Sequence, residues 1–234
     1  MLTVAFPAAA FGTNCYVLAP AAGEECVVVD PGIGVVDTLG EVLAEHRLRP
    51  AAVLLTHGHV DHVWSVTPVC GGTLAAYVHH DDRYRLRDPL SLVEPGVLAM
   101  FERQFGQRPT WVEPSDVVEV RNAATVTVAG LDLGVLHAPG HTEGSVMFAV
   151  GEVPDAVQVD EPIDGTVLTG DVVFAGSIGR TDLAGGSEAD MRRSLRDVVL
   201  ALSDSTLLLP GHGPATTMRR ERATNPYLKG LSAR

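Results

Sequence analysis

The sequence predicts an α/β fold in which two β-sheets pack face to face and helices cover their outer sides. Short apolar runs alternate with stretches of helical periodicity, and this order of strands followed by helices occurs twice along the chain. The 234 residues suffice for a core of their own, as one large domain or two small ones. Their 46% hydrophobic and 20% charged content is ordinary for a globular protein.

The first half of the chain contains the clearest strand patterns. Apolar runs bounded by turn residues predict strands, and apolar residues three or four positions apart predict a helix. On this basis we predict strands at residues 14–19, 25–30, 51–56 and 73–78, a helix at 35–46, and a second helix that starts near Val60.

The second half repeats this organisation. Ser187 is the predicted N-cap of an amphipathic helix, and Asp190 three positions later comes close to a capping box. We predict strands at residues 125–128, 131–137, 145–150, 165–171 and 205–213, the last including a turn, and a helix at 187–202.

Residues 79–115 form a separate segment with four prolines and several large apolar side chains, among them Met100, Phe101, Phe105 and Trp111. One interpretation is a lid or substrate wall. The alternative is a helical excursion that buries its own aromatic residues.

Composition argues against several classes of protein. The formal net charge is −12 and no basic cluster is longer than Arg219 and Arg220, so we expect no nucleic-acid binding. No apolar run reaches about 18 residues, so no membrane span is expected. The N-terminal residues lack the features of a signal peptide, which predicts a cytoplasmic protein. Cys15, Cys26 and Cys70 are scattered and are expected to be small core residues.

Four potential metal ligands lie within six positions of one loop. The segment T-H-G-H-V-D-H-V contributes His57, His59, Asp61 and His62 directly after a predicted strand. His57 and His59 are two positions apart, so both can face one ion on a turn, and Asp61 and His62 can face a second. The alternative for this segment alone is a solvated turn that is rich in histidine.

Three further ligand-type residues lie beside predicted strands. His141 lies in A-P-G-H-T-E-G-S, Asp171 ends G-T-V-L-T-G-D, and His212 lies in L-L-L-P-G-H-G. Neighbouring glycines let the backbone turn sharply and present each side chain at a sheet edge. Imidazole and carboxylate groups bind Zn, Fe or Mn, and two divalent ions about 3.5–4 Å apart need a bridging carboxylate. The remaining histidines are expected to be structural: His46, His79, His80 and His137.

In this order, T-H-G-H-V-D-H, P-G-H-T-E-G-S, G-D and P-G-H-G resemble the metallo-β-lactamase superfamily over nearly the whole chain. Residues 170–187 and 220–228 further resemble short bacterial hydrolases related to glyoxalase II, the hydroxyacylglutathione hydrolase. The resemblance implies an αββα sandwich of two mixed sheets, with the site at their open edge. It implies a single domain over residues 1–234. Only 22 residues follow His212, too few for the helical C-terminal domain with which classical glyoxalase II helps to bind glutathione.

The resemblance also implies a role for each site residue. Asp30 lies where the family places a residue that supports the ligand loop, although a simple Asx-Pro-Gly turn is the alternative. Arg180 lies where the family places basic substrate contacts, and its alternative is an ion pair with Asp182. The implied metal ligands are His57, His59 and His141 for the first ion, Asp61, His62 and His212 for the second, and Asp171 as the bridge.

The function implied is hydrolysis of a small thioester, such as an acyl-thiol, by a hydroxide that bridges two divalent ions. Zinc is the expected metal, with iron or manganese as alternatives. A thiolate leaves without a proton donor, and the sequence offers no dedicated general acid beyond Asp61, which favours a thioester over an amide. A persulfide dioxygenase with a single iron is one alternative, a lactonase is another, and a non-catalytic binding protein on the same scaffold is a third.

Overall fold

The computed structural model describes residues 1–105, 109–156, 159 and 161–231, with residues 100, 101, 104 and 105 described by their backbone alone. It confirms the two predicted sheets, which contain six strands each. In spatial order, the first sheet consists of β1 (Leu2–Pro7), β2 (Asn14–Ala19), β3 (Glu25–Val29), β4 (Arg49–Leu54), β5 (Ala75–His79) and β6 (Val117–Val120).

The second sheet has the spatial order β14-β13-β10-β9-β8-β7. Its strands are β7 (Thr125–Val128), β8 (Leu131–His137), β9 (Val146–Val150), β10 (Gly165–Gly170), β13 (Thr206–Pro210) and β14 (Thr216–Thr217), and a separate hairpin is formed by β11 (Val173–Phe174) and β12 (Ser177–Ile178). β3 to β6 pair in parallel while β1 to β3 pair antiparallel, and β10 pairs in parallel with β13 but antiparallel with β9. Both sheets are therefore mixed, as the resemblance implies.

The helices lie outside the two sheets or in the connections at their edge. They are α1 (Val36–His46), α2 (Val60–Val63), α3 (Val66–Cys70), α4 (Pro95–Phe105), α5 (Glu188–Asp197) and α6 (Met218–Thr224), with 3-10 turns at His80–Leu86, Pro89–Leu92 and Val199–Ala201. Among the described residues, no helix has the length and apolar character needed to cross a bilayer.

α5 is shorter than the helix predicted at residues 187–202. Its start is confirmed, because the Ser187 side chain accepts a hydrogen bond from the backbone N–H of Asp190. The α-helix ends at Asp197, and a 3-10 turn follows. The consecutive β-branched residues Val198 and Val199 lie at this transition, where their restricted side-chain rotamers disfavour a continued α-helix.

Three buried apolar clusters correspond to the layers of an αββα sandwich. The central cluster joins the facing sides of the sheets, with Leu18 and Leu54 from the first and Phe148 from the second. A second cluster packs α1 and α3 on the outside of the first sheet. A third packs α5 on the outside of the second sheet through residues such as Met191 and Leu195. The three free cysteines are buried, as expected for core residues.

Candidate metal centre

The seven predicted ligand residues come together at one edge of the sandwich, where loops from both sheets meet. Hydrogen bonds between the sheets align these loops: the N–H of Val146 donates to the Thr56 carbonyl at 2.8 Å, and the N–H of Asn14 donates to the Gly211 carbonyl at 2.7 Å. The loop after β4 carries His57 and His59, and α2, which follows it, carries Asp61 and His62. The loops after β8, β10 and β13 carry His141, Asp171 and His212 respectively.

The first group of potential ligand atoms consists of three imidazole nitrogens. His59 Nδ1 lies 3.1 Å from His57 Nε2 and 2.8 Å from His141 Nε2. Nitrogens that close need a proton or a cation between them, because their lone pairs otherwise repel. Burial lowers the pKa of all three rings, that of His59 to about 3, so at neutral pH they are uncharged and able to bind a cation.

The second group is formed by Asp61, His62 and His212. The Nε2 atoms of the two histidines lie 3.3 Å apart, and Asp61 Oδ2 lies 3.3 Å from that of His212 and 3.6 Å from that of His62. Burial raises the pKa of Asp61, but the adjacent His62 and His212 outweigh this effect and hold it below its usual range. The Asp61 carboxylate is therefore ionised.

Asp171 lies between the two groups. Its Oδ2 is 3.4 Å from His141 Nε2 in the first group, and its Oδ1 is 3.4 Å from His62 Nε2 in the second. Oδ1 is buried and makes no hydrogen bond to any described residue. A buried carboxylate oxygen in this state is costly unless a cation neutralises it, so the donor set fits divalent ions.

The charge on His62 supports the same conclusion. Burial lowers the pKa of this ring, but Asp171, Asp61 and Asp30 outweigh it and raise the pKa well above its usual value. Without a cation, the ring carries an extra proton among these carboxylates. A bound cation takes the place of that proton, since metal ligands bind in their deprotonated form.

Asp30 orients two of the ligand rings. Its Oδ2 accepts hydrogen bonds from His62 Nδ1 at 2.9 Å and from the Thr56 hydroxyl at 2.6 Å, and its Oδ1 accepts from the Thr56 N–H at 2.8 Å. Because the Thr56 hydroxyl donates to Asp30, it accepts from His57 Nδ1 at 3.1 Å. Because Nδ1 of both rings carries the proton that is donated, the unprotonated Nε2 of each ring faces the cluster. Asp30 adopts a φ of 50°, a left-handed conformation that Asp tolerates better than most residues.

His141 is oriented by the backbone of a different loop. Its Nδ1 donates to the carbonyl oxygen of Arg180 at 2.7 Å, which again turns Nε2 toward the cluster. The Arg180 guanidinium is exposed and forms two hydrogen bonds of 2.7 Å with Asp182. Arg180 thus forms the ion pair with Asp182 that was the alternative to a substrate contact. Arg180 also lines the two cavities described below.

Replacing Asp30 by alanine should lower the metal affinity of the centre about 10- to 100-fold, the usual cost of losing a partner that orients metal-binding histidines. Competition with a chromophoric chelator measures this affinity. Asp37→Ala, an exposed change in the first turn of α1, is the control and should leave it unchanged. Equal metal affinities for the two variants would mean that Asp30 only stabilises the Asx-Pro-Gly turn and does not orient the histidines.

Two cavities flank the cluster. The smaller, about 170 Å³, lies on the side of Arg85, and the larger, about 480 Å³, lies on the side of His212. Both share the residues His59, Val60, Asp61, Val97, Arg180 and Leu183. The smaller cavity adds Gly58, Arg85, Pro89, Leu92, Val93, Glu94 and Ala184, and the larger adds Phe11, His141, Asp171, Phe174, Ile178, Gly179 and His212.

Residues 79–115 contain elements of both interpretations drawn from the sequence. Leu92 and Val97 form part of the wall of the smaller cavity. Trp111 packs instead against the core of the first sheet, and its Nε1 donates to the Leu86 carbonyl at 2.7 Å. The side chains of the other aromatic residues named for this segment, and that of Met100, lie outside what the structure describes.

A buried ion pair that the sequence does not reveal supports the candidate centre. Asp82 Oδ2 accepts from the N–H of Gly58 and the hydroxyl of Thr142, both at 2.7 Å, and thereby joins the two loops that carry the first group. Its Oδ1 accepts from the N–H of Gly144 at 2.8 Å and from Arg85 Nε at 3.1 Å. Both charged side chains are fully buried, and burial raises the pKa of Asp82 despite these donors. These partners lie 24 and 60 residues from Asp82, so no local pattern reveals them.

The histidines assigned to structural positions do not join the seven residues. The rings of His79 and His137 stack at a centroid distance of 4.0 Å beside Asp81, where the three side chains form a separate group of potential ligands. His137 Nε2 already donates to the Glu143 carbonyl at 2.8 Å. His80 pairs with Glu119.

An αββα sandwich that gathers histidines and aspartates from loops of both sheets has the architecture of a metal-dependent hydrolase. The sequence profile described as the metallo-beta-lactamase superfamily matches residues 8–153 and 150–212. The chain therefore belongs to the metallo-β-lactamase superfamily.

Similar proteins support this class. An uncharacterised protein of Mycobacterium tuberculosis (strain ATCC 25618 / H37Rv) is 46% identical over 234 residues, which cover 99% of this chain and 100% of the relative. The probable metallo-hydrolase YqgX of Bacillus subtilis (strain 168) is 32% identical, with 97% of each chain covered. The hydroxyacylglutathione hydrolase GloC of Haemophilus influenzae (strain ATCC 51907 / DSM 11121 / KW20 / Rd) is 29% identical, also with 97% of each covered.

Solved structures show the same fold. The BLEG-1 B3 metallo-beta-lactamase superposes with a TM-score of 0.78 and 33% identity, over 98% of this chain and 100% of that one. The structure of TTHA1623 in a di-iron-bound form superposes with a TM-score of 0.73 and 31% identity, over 96% and 100% respectively.

Proposed function

We propose that this protein hydrolyses thioesters of small acids at a centre of two divalent metal ions. The observation that carries the proposal is the position of Asp171, whose carboxylate lies within 3.4 Å of His141 Nε2 in the first group and of His62 Nε2 in the second. We assign His57, His59 and His141 to the first ion, Asp61, His62 and His212 to the second, and Asp171 to both.

Similar proteins favour both parts of the proposal. The solved structure in a di-iron-bound form supports a site for two ions, and zinc, iron and manganese all suit these donors. The relative described as a hydroxyacylglutathione hydrolase supports an acyl-thiol substrate.

We propose that residues 1–234 act as one domain. After His212, the described residues form β14 and α6, and Leu228 packs into the outer cluster of the second sheet.

Divalent ions in such a centre supply Lewis acidity, which activates a water and stabilises negative charge on a carbonyl oxygen. The chain itself supplies few proton donors for a leaving group. Asp61 is ionised, and Arg85 and Arg180 do not release protons at neutral pH. A leaving group that departs without a proton fits this site, and a thiol with a pKa of about 8.5 does so more readily than an amine.

Arg180 is the residue we propose for binding an anionic part of the substrate. It is exposed and lines both cavities, and its guanidinium pairs only with Asp182 among the hydrogen bonds described for this side chain. A surface pair of this kind contributes little stability, so a substrate carboxylate can replace Asp182 at small cost.

Elemental analysis of the purified protein, together with a panel of thioesters, tests the proposed function. We expect two ions per chain, turnover of thioesters that is lost on chelation and restored by metal, and faster turnover of anionic than neutral thiol carriers. The same preparation is offered lactones and a persulfide. One iron per chain with oxygen uptake and sulfite formation would identify a dioxygenase instead. Preferred turnover of lactones would identify a lactonase, and no turnover by the metal-loaded protein would indicate a binding protein.

Replacing His59 by alanine should abolish thioester hydrolysis while leaving the fold intact. His59 lies in a partly exposed loop and contributes a nitrogen to the first group of ligands, but it is not part of the apolar core. Steady-state kinetics and circular dichroism measure the two effects. His46→Ala, at the end of α1, is the matched control and should keep full activity. Retained turnover in the His59 variant would contradict its assignment as a ligand.

A further inference from the structure

The Arg85 side chain lies fully buried in the wall of the smaller cavity, beside the proposed metal centre. Its stem packs against the ligand loop so closely that a Cβ atom added at Gly58 would lie 2.6 Å from Arg85 Cβ. Only glycine fits between His57 and His59 for this reason. Arg85 therefore has a fixed position relative to the first group of ligands.

The Arg85 guanidinium has one nitrogen, Nη1, left for a further partner. Nε donates to Asp82 at 3.1 Å, and Nη2 donates to Glu143 Oε2 at 2.6 Å and to the Ala184 carbonyl at 2.8 Å. Nη1 is buried and makes no hydrogen bond within the described part of the chain. An unpaired buried donor costs about 1–3 kcal/mol, and a ligand that supplies an acceptor recovers this cost.

The charge around Arg85 selects the kind of acceptor. One guanidinium faces two carboxylates, Asp82 and Glu143, so the group as a whole is negative. A carboxylate placed on Nη1 would meet this surplus negative charge, whereas a neutral carbonyl or hydroxyl oxygen would not.

The size and lining of the cavity limit the rest of the ligand. Its volume of about 170 Å³ is close to the roughly 150 Å³ of an apolar protein cavity that holds benzene, a molecule of six carbon atoms. Pro89, Leu92, Val97 and Leu183 supply apolar walls. A thiol carrier such as a peptide is too large for this space, but the cavity of about 480 Å³ on the other side of the cluster is wider.

We propose that the smaller cavity is the acyl subsite of this enzyme and that Arg85 is its specificity-determining residue, selecting a short, uncharged acyl group that carries a hydrogen-bond acceptor. The assignment to an acyl group rests on the thioesterase function proposed above. The thiol carrier then lies in the larger cavity, on the side of His212 and Phe174.

Three uncleavable ligands test the subsite in the metal-loaded protein by calorimetry. Each is a thioether of N-acetylcysteamine in which a methylene separates the sulfur from a pentanoyl, a 4-oxopentanoyl or a 4-carboxybutanoyl group. We expect the 4-oxo ligand to bind about tenfold more tightly than the pentanoyl ligand, the equivalent of one hydrogen bond to a charged donor. The carboxylate ligand should bind most weakly.

Arg85→Lys keeps the positive charge between Asp82 and Glu143 but removes the free Nη1 donor. It should abolish the tenfold preference for the 4-oxo group over the pentanoyl group. The corresponding thioesters should show the same loss of preference in kcat/KM.

A second variant tests the cavity without altering the ion pair. Leu92→Phe narrows the cavity and should weaken the pentanoyl ligand severalfold more than an acetyl ligand. Leu90→Phe is the matched control, because Leu90 lies in the same 3-10 turn but lines a different cavity, and its ligand affinities should match those of the wild type.

The proposal is overturned if the wild type prefers the carboxylate ligand, or if Leu92→Phe leaves the dependence on acyl length unchanged. Failure of the thioesterase function looks different. In that case no thioester is hydrolysed, yet the three uncleavable ligands still bind in the expected order and still respond to both variants, which identifies the subsite independently of turnover.

Discussion

Replacing Asp171 by asparagine should lower kcat/KM roughly a thousandfold or more, since loss of even one group that stabilises a developing oxyanion costs about 100- to 1000-fold. Asparagine has nearly the shape of aspartate but no charge, and its amide nitrogen would face a bare imidazole nitrogen of His62 or His141. We therefore expect fewer than two ions per chain in the variant, measured by elemental analysis beside the steady-state rate.

Asp164→Asn is the control for this experiment. Asp164 is exposed just before β10 and accepts a hydrogen bond from the Ser205 hydroxyl, so the same chemical change there should affect neither metal content nor rate. An Asp171 variant that kept both ions and the wild-type rate would contradict the bridging assignment.

Replacing Arg85 by methionine should lower the free energy of unfolding by about 3–5 kcal/mol, the usual cost of removing one partner from a buried ion pair. Asp82 is fully buried, so its carboxylate would be left without the guanidinium. Chemical denaturation followed by circular dichroism measures the change. Arg83→Met is the control, because Arg83 is partly exposed and pairs with Glu113, and such a pair contributes less than about 1 kcal/mol.

A small effect of Arg85→Met would have a specific meaning. Burial raises the pKa of Asp82, so a loss below about 1 kcal/mol would indicate that Asp82 takes up a proton when its partner is removed. Repeating the denaturation at higher pH, where that proton is harder to retain, would then restore a larger loss.

The sheets could be predicted because their strands are local patterns. Residues 14–19, 125–128 and 131–137 are strands with the predicted bounds, since an apolar run or apolar alternation, with flanking turn residues, defines each of them without reference to the rest of the chain. β1 and β6 were not predicted. β1 is mostly half-buried, and β6 is a short edge strand. Neither therefore shows the continuous apolar run that marks a buried strand in the sequence.

The candidate ligands could be predicted because each occurs in a short Gly-rich motif beside a strand, and the structure brings all seven to one edge. The ion pair of Arg85 and Asp82 could not. It lies in the run H-H-D-D-R-Y-R-L-R-D, whose composition is typical of an exposed segment. Its burial depends on Gly58 and Thr142, residues of two distant loops that approach only after the sheets have packed together.

The division of the seven residues between the sheets has a kinetic consequence. Four of the residues follow a strand of the first sheet, and three lie beside strands of the second. An ion bound by Asp171 together with residues of the first sheet would therefore crosslink the two sheets. Separating the layers would require the ion to leave. A bound ion should therefore slow the opening of the sandwich, and removal of the metal should speed it.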